Sequence, residues 1–180
     1  MNNHGFLEIA ARNVENVTVA YNLSDDRNQF IGGGSMKNIL VLNNTVIRTR
    51  EPNVDRYIFW TFNRDSTFLT VRNNIFVIAK DIKVFGPYIK PVGHKRAMVG
   101  EQVHDHNLYF SFGNTDPIGI AAGKGDKIAD PMFIDFGNQN FRLQQNSPAI
   151  NAGVKTGYTE DLDGRSVTGN GLPDIGAFEH

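Results

Sequence analysis

Leu69-Thr70-Val71-Arg72-Asn73-Asn74-Ile75-Phe76-Val77 decides the fold, because other segments of the chain can be laid over it residue for residue. Ile39-Leu40-Val41-Leu42-Asn43-Asn44-Thr45-Val46-Ile47 has the same layout: alternating apolar residues, paired asparagines, then a second short apolar run. Val17-Thr18-Val19-Ala20-Tyr21-Asn22 and Gln102-Val103-His104-Asp105-His106-Asn107-Leu108-Tyr109-Phe110 are looser copies. The marker asparagine recurs at Asn22, Asn44, Asn74 and Asn107, in steps of 22, 30 and 33 residues. A period of that size is the mark of a solenoid, propeller or array, in which each unit buries its apolar face only against its neighbours.

Alternation within the copies assigns the faces. Val17, Ile39 and Leu69 form one inward column and Val19, Val41 and Val71 a second, with Val46 stacked under Phe76 after the corner. Asn22, Asn43, Asn44, Asn73, Asn74 and Asn107 fit those corners. Asparagine tolerates the left-handed backbone of a tight turn, and its amide can donate to one rung while accepting from another. About one residue in nine is asparagine, an excess that suits a turn-dense solenoid. Further strands are expected at Gln29–Ile31, Tyr57–Phe62 and Ile82–Phe85, with turns at Gly32-Gly33-Gly34 and Gly86-Pro87. In the fourth copy, His104 takes the column of Val19, Val41 and Val71. A one-residue bulge would return Val103 to the core and turn His104 outward, and that arrangement is expected.

Composition narrows the function classes. The 180 residues suit one domain, and 40% hydrophobic with 21% charged residues argues against disorder. A formal net charge of −1 lacks the electrostatic attraction that nucleic-acid binding needs, so no nucleic-acid partner is expected. The chain has no cysteine for disulfides or thiolate metal sites, and no apolar run long enough for a membrane span. Met1–Gly5 carries no signal-peptide pattern, and Phe6–Ala10 already reads as strand. That predicts missing N-terminal rungs, or self-association through an open end of the coil.

From Ile128 the texture changes to Asp130-Pro131-Met132-Phe133, Phe141-Arg142-Leu143, Ser147-Pro148-Ala149-Ile150-Asn151-Ala152-Gly153, Asp161-Leu162-Asp163-Gly164-Arg165 and Asp174-Ile175-Gly176-Ala177-Phe178-Glu179. This tail resembles the C-terminal end of secreted bacterial right-handed parallel β-helix proteins of the pectate-lyase-like superfamily. The resemblance implies an all-β, right-handed, single-stranded parallel β-helix, a three-sided solenoid. Residues 1–127 would form rungs, and residues 128–180 the terminal rung and an irregular closing segment of the same domain. It further implies an extracellular or cell-surface protein whose partner is a polysaccharide.

Many members of that superfamily are lyases for acidic glycans, a reaction that needs a cation to neutralise the uronate carboxylate and a base to take the neighbouring proton. The resemblance implies Arg, Lys or His as base, often helped by Ca²⁺. Candidate catalytic residues are His94, Lys95 and Arg96, with His104, His106 and the outward-facing Arg72. A solvated polar loop accounts for the same charges. Candidate substrate-binding residues are Lys90 and a group around Tyr57 and Trp60, namely Arg48, Arg50 and Arg56. Arginines pair with sugar carboxylates and aromatic faces stack on pyranose rings, though the same aromatics could fill the core. Asp161 and Asp163 fit either an oxygen-ligand calcium loop or a pair of Asx turns. A non-catalytic carbohydrate-binding, adhesin or structural module is the alternative to a lyase.

Overall fold

The computed structural model describes residues 6–9, 14–33, 36–50, 56–61, 67–86, 102–167 and 171–180. The candidate residues Lys90, His94, Lys95 and Arg96 lie outside them, as does the side chain of Trp60. The described residues form strands and turns with no helix, hence no helix long and apolar enough to cross a membrane.

Three parallel sheets receive strands in rotation. The first contains β1 (Leu7–Ile9), β4 (Ile31–Gly33) and β7 (Phe59–Thr61). The second contains β2 (Val14–Ala20), β5 (Met36–Leu42), β8 (Thr67–Arg72) and β10 (Gln102–Asp105). The third contains β3 (Leu23–Asp25), β6 (Thr45–Arg48), β9 (Ile75–Ala79), β11 (Leu108–Phe112) and β12 (Lys127–Ile128). Each pass of the chain therefore lies in register on the one before. Val19 pairs with Val41 and Val41 with Val71, while Val46 pairs with Phe76 and Phe76 with Tyr109. The stack of the first sheet continues beyond β7 without regular strands, so Ile82–Phe85 is not the strand expected there: Phe59 donates to the Val84 carbonyl and Val84 to that of Pro117. Gly32 and Gly33 lie inside β4 opposite Trp60 and Thr61, not in a turn as the glycine run suggested.

The core lies between the three sheets. Phe59 fills it, in ring contact with Phe30, Phe76 and Phe85, and Phe76 stacks on Tyr109 at 5.5 Å between centroids. The inner asparagine of each corner builds a continuous ladder. Asn22 Nδ2 donates to Asn44 Oδ1, Asn44 to Asn74, and Asn74 to Asn107, at 2.9–3.0 Å. Asn107 donates in turn to Asp126, so the ladder ends on a carboxylate. A second, shorter ladder was not anticipated. Asn16 and Asn38, both with positive φ, sit at matched irregularities of β2 and β5 and are joined at 2.7 Å.

The residue before each ladder asparagine, Tyr21, Asn43, Asn73 or His106, is left-handed, with φ between 51° and 57°. Asn43 and Asn73 are joined as the ladder expects, Asn73 Nδ2 donating to Asn43 Oδ1 at 3.3 Å, and the same side chains also hold the C-terminal segment. Asn73 Oδ1 accepts from Val154 N at 3.0 Å and its Nδ2 donates to Val154 O at 2.7 Å, while Thr156 Oγ1 donates to Asn43 Oδ1. That segment, with the antiparallel hairpin β13 (Phe133–Asp135) and β14 (Asn140–Leu143), lies along the outer flank of the third sheet. Ile47, Ile75, Val77 and Leu108 face outward there and are buried against Phe133, Phe141, Ala149, Ile175 and Phe178. The third sheet is thus apolar on both faces. Gly176 is required at this seam: its φ is 109°, and a Cβ would stand 2.7 Å from Ile75 Cδ1.

The end of this segment carries a proton-linked contact. Both Glu179 carboxylate oxygens accept the Asp174 N–H at 3.2 Å, and the Glu179 N–H donates to Asp161 Oδ2 at 2.7 Å. Burial, then the neighbouring Asp174, pushes the Glu179 carboxyl up to about 7. The folded protein therefore holds a proton that the unfolded chain releases near the ordinary glutamate range of about 4.3. Stability should fall as pH rises from there to about 7 and change no further with this group above it. Glu179→Gln is expected to flatten that fall. Thermal melts near pH 5 and pH 8 should differ less in the variant than in the wild type, and an equal difference would contradict the assignment.

Candidate functional site

Among the described residues, the outer face of the second sheet is a further long surface, partly exposed along Thr18, Leu40, Thr70 and Val103, while Leu42 in the row beside them is buried. Its outward rows are Thr18, Leu40, Thr70 and Val103, and beside them Ala20, Leu42, Arg72 and Asp105. Arg72 and Asp105 are cross-strand partners of β8 and β10. Arg72 Nε donates to Asp105 Oδ1 and Nη2 to Oδ2, both at 2.7 Å, a two-point pair that fixes both planes. Burial pushes the Asp105 carboxyl up, but its bonds to Arg72 and His106 outweigh that and the net shift is downward. Asp105 is therefore ionised at neutral pH.

His106 follows at the corner, where the sister passes place Tyr21, Asn43 and Asn73. Its φ of 53° is left-handed, a conformation in which histidine, like asparagine and aspartate, is enriched among non-glycine residues. The ring is held from two sides. Nδ1 lies 2.9 Å from Asp105 Oδ1, and the ring packs so closely on Gly125 that a Cβ there would come within 2.5 Å of it. With an ionised Asp105, Nδ1 is assigned as the donor in this bond, the tautomer in which Nε2 is the acceptor. Arg72, Asp105 and His106 thus form a chain of oriented groups with partly exposed side chains, at 34%, 14% and 21%. Asp105 was not singled out in the sequence, although its place directly across from Arg72 follows once Asn74 is aligned with Asn107.

His104 does something else. No bulge forms: His104 pairs with Val71 in register, and Val103 points outward at 49% exposure. The expectation of an outward His104 is therefore corrected. The ring takes the inward valine column because a polar partner waits there: Asp126 Oδ2 lies 2.7 Å from Nδ1, and Phe85 packs against the ring at 5.0 Å. The Tyr109 hydroxyl donates to Asp126 Oδ2 at 3.4 Å. Burial, then the Asp126 charge, raises the Tyr109 hydroxyl well above its ordinary range. His104 closes the end of the core and is not placed to touch a polymer on the outer face.

The arginine group around Tyr57 separates into different roles. Arg48 is buried, with Nε donating to the Arg27 carbonyl at 3.0 Å and Nη1 to that of Tyr57. It bridges two passes from inside, which rules out the expected contact with substrate. Arg50 is exposed and pairs with Asp25 at 2.7 Å. Arg56 and Tyr57 line a cleft with Lys80 and Lys83. Trp60 is placed only by its backbone, across from Gly32.

Asp161 and Asp163 are engaged by the chain itself. Asp161 Oδ1 accepts the N–H groups of Asp163 and Arg165, its Oδ2 accepts that of Glu179, and Asp163 is paired two-point with Arg142. The Asx-turn alternative accounts for these oxygens, and among the described residues no group of three or more metal-ligating side chains forms. Compared with protein-family models and with curated proteins, the chain matches none.

Proposed function

We propose that this chain is a right-handed, three-sided parallel β-helix of the pectate-lyase-like superfamily that works outside the cell on an acidic polysaccharide laid across the outer face of the second sheet. The observation that carries this reading is His106: a histidine in a left-handed corner position, oriented by Asp105, beside an arginine on the same open face. In-register stacking of successive passes and the rotation of strands among three sheets support the architecture. The C-terminal motifs support the superfamily.

In the proposed reaction, an unused N–H of Arg72 pairs with the uronate carboxylate and acidifies the adjacent C5–H. His106 Nε2 takes that proton. The C–H electron pair forms the C4–C5 double bond, and the C4–O bond breaks with its electrons passing to the glycosidic oxygen, which is protonated by water. Asp105 stabilises the imidazolium so formed.

The test is incubation with pectate, alginate and related uronans, with and without added Ca²⁺, while following the absorbance of the unsaturated product. His106→Asn is expected to lower the rate at least about a hundredfold, the ordinary weight of a general base. No absorbance change with any uronan would overturn the lyase. A non-catalytic glycan-binding module is the second reading, and the two-point engagement of Arg72 by Asp105 favours it, because that pairing already neutralises the cation. Binding of a uronan without turnover would establish it.

A further inference from the structure

A second polar site lies at the opposite end of β9. After Ala79 the chain turns through Lys80 and Asp81, and the pass before it enters the first sheet at Arg56 and Tyr57, where Tyr57 bridges to Lys83. These residues and Asn114 line a cleft of about 300 Å³. Its walls are fixed. Asn114 Nδ2 donates to the Ile82 carbonyl at 3.0 Å, its Oδ1 accepts from Asp116 N at 2.9 Å, and the Tyr57 ring rests on Gly86, where a Cβ would stand 3.0 Å from it.

The charges in this cleft do not balance. Lys83 Nζ is held by Asp116 at 2.6 Å, and Gly119 N donates to the other Asp116 oxygen at 3.0 Å. Among the described residues, Arg56 and Lys80 have no carboxylate partner, although Asp81 lies on the same rim. Two cations beside a fixed aromatic ring suit an oxyanion attached to a flat, partly apolar body. We propose that this cleft binds the sulfate or carboxylate substituent of a saccharide, with Arg56 and Lys80 as the anion clamp and Tyr57 beneath the sugar ring. This extends the glycan reading to a second subsite but stands on its own geometry. The five-residue strand β9, roughly 16 Å at strand rise, lies between Lys80 and the corner that follows Arg72, and its outer face is covered by the C-terminal segment.

Calorimetric titration of the full chain at physiological salt tests it, with a sulfated heparin-type oligosaccharide, an oligogalacturonate and inorganic sulfate as probes. The wild type is expected to bind at least one oligosaccharide more tightly than inorganic sulfate. The Arg56→Ala/Lys80→Ala double variant should lose at least about tenfold in that affinity at an unchanged melting temperature, as expected where two charge-assisted contacts to a ligand are removed. Arg72→Ala should leave this binding intact. Affinity unchanged in the double variant overturns the proposal, as does an oligosaccharide that binds no better than inorganic sulfate. If binding survives the double variant and disappears in Arg72→Ala, the cleft is overturned while the glycan reading of the second sheet stands.

Discussion

Asp126→Ala is expected to cost about 3–5 kcal/mol of folding stability, the scale seen when one partner of a buried charged network is removed. The Asp126 side chain is fully buried, and five groups point at it. Asn107 reaches Oδ1 through its backbone N–H at 2.9 Å and its Nδ2 at 3.2 Å. Oδ2 meets Gly123 N and His104 Nδ1, both at 2.7 Å, and the Tyr109 hydroxyl at 3.4 Å. Burial pushes the Asp126 carboxyl up, but the His104 bond and the N–H groups of Asn107 and Gly123 outweigh it, and the net shift is downward. Its contribution is therefore complete above the ordinary aspartate range and is lost as pH falls through the lower folded value. Asp126→Asn keeps the acceptor for Asn107 but turns an NH₂ toward Gly123 and His104, so it should cost about 2 kcal/mol, the scale of a buried unsatisfied donor. Urea denaturation measures both. A loss under about 1 kcal/mol for Asp126→Ala would show that the ladder needs no carboxylate terminus.

Asn74→Ala should come next, at about 3 kcal/mol. Asn74 is fully buried in the middle of the ladder, and its Oδ1 accepts both the backbone N–H and Nδ2 of Asn44 at 2.9 Å. Its Nδ2 serves Asn107 Oδ1 and the carbonyls of Val41 and Arg72. Alanine leaves the Asn44 backbone N–H without its acceptor in a dry interior, at a cost of about 1–3 kcal/mol. It also removes bonds from Asn44 Nδ2, Val41 O, Arg72 O and Asn107 Oδ1, of which Arg72 O keeps the Asn43 N–H and Asn107 Oδ1 the backbone N–H of residue 74. Asn22→Ala is the control. Asn22 stands at the half-buried start of the ladder, where water can replace the lost bonds, and its loss should stay under about 1 kcal/mol. Equal effects at both positions would contradict an internal ladder. Asn74→Asp should fail as badly as alanine, because the carbonyls around Nδ2 are acceptors. Asp126 is tolerated because every group around it donates.

The same contrast explains what could be read in the sequence and what could not. Alternation and the asparagine marker are local signals, and they placed Val19, Val41 and Val71 in one column and Val46 under Phe76, as the pairing has them. Two repeats of the same kind were legible but missed: Asn16 with Asn38 at a 22-residue step, and Asp126, which takes the next ladder position 19 residues beyond Asn107. The apolar residues on both sides of β6 and β9 also signalled a second covering layer.

Other assignments depended on partners that the order of residues does not name. Taken alone, His104 is a polar residue at an inward position, for which a bulge is a reasonable escape; a carboxylate 22 residues later makes the interior acceptable instead. Arg48 reads as a surface cation until carbonyls of two passes close around its guanidinium. Asp161 and Asp163 read as ligands until backbone N–H groups and Arg142 occupy their oxygens. The sequence by itself determined the strands of the second and third sheets, the faces of the first three copies and the stacking order, because these follow from the two-residue period and the corner residues. Only the tertiary structure decided which charged side chains remain open to a ligand, because a charge is satisfied by whatever the fold brings within about 3 Å of it.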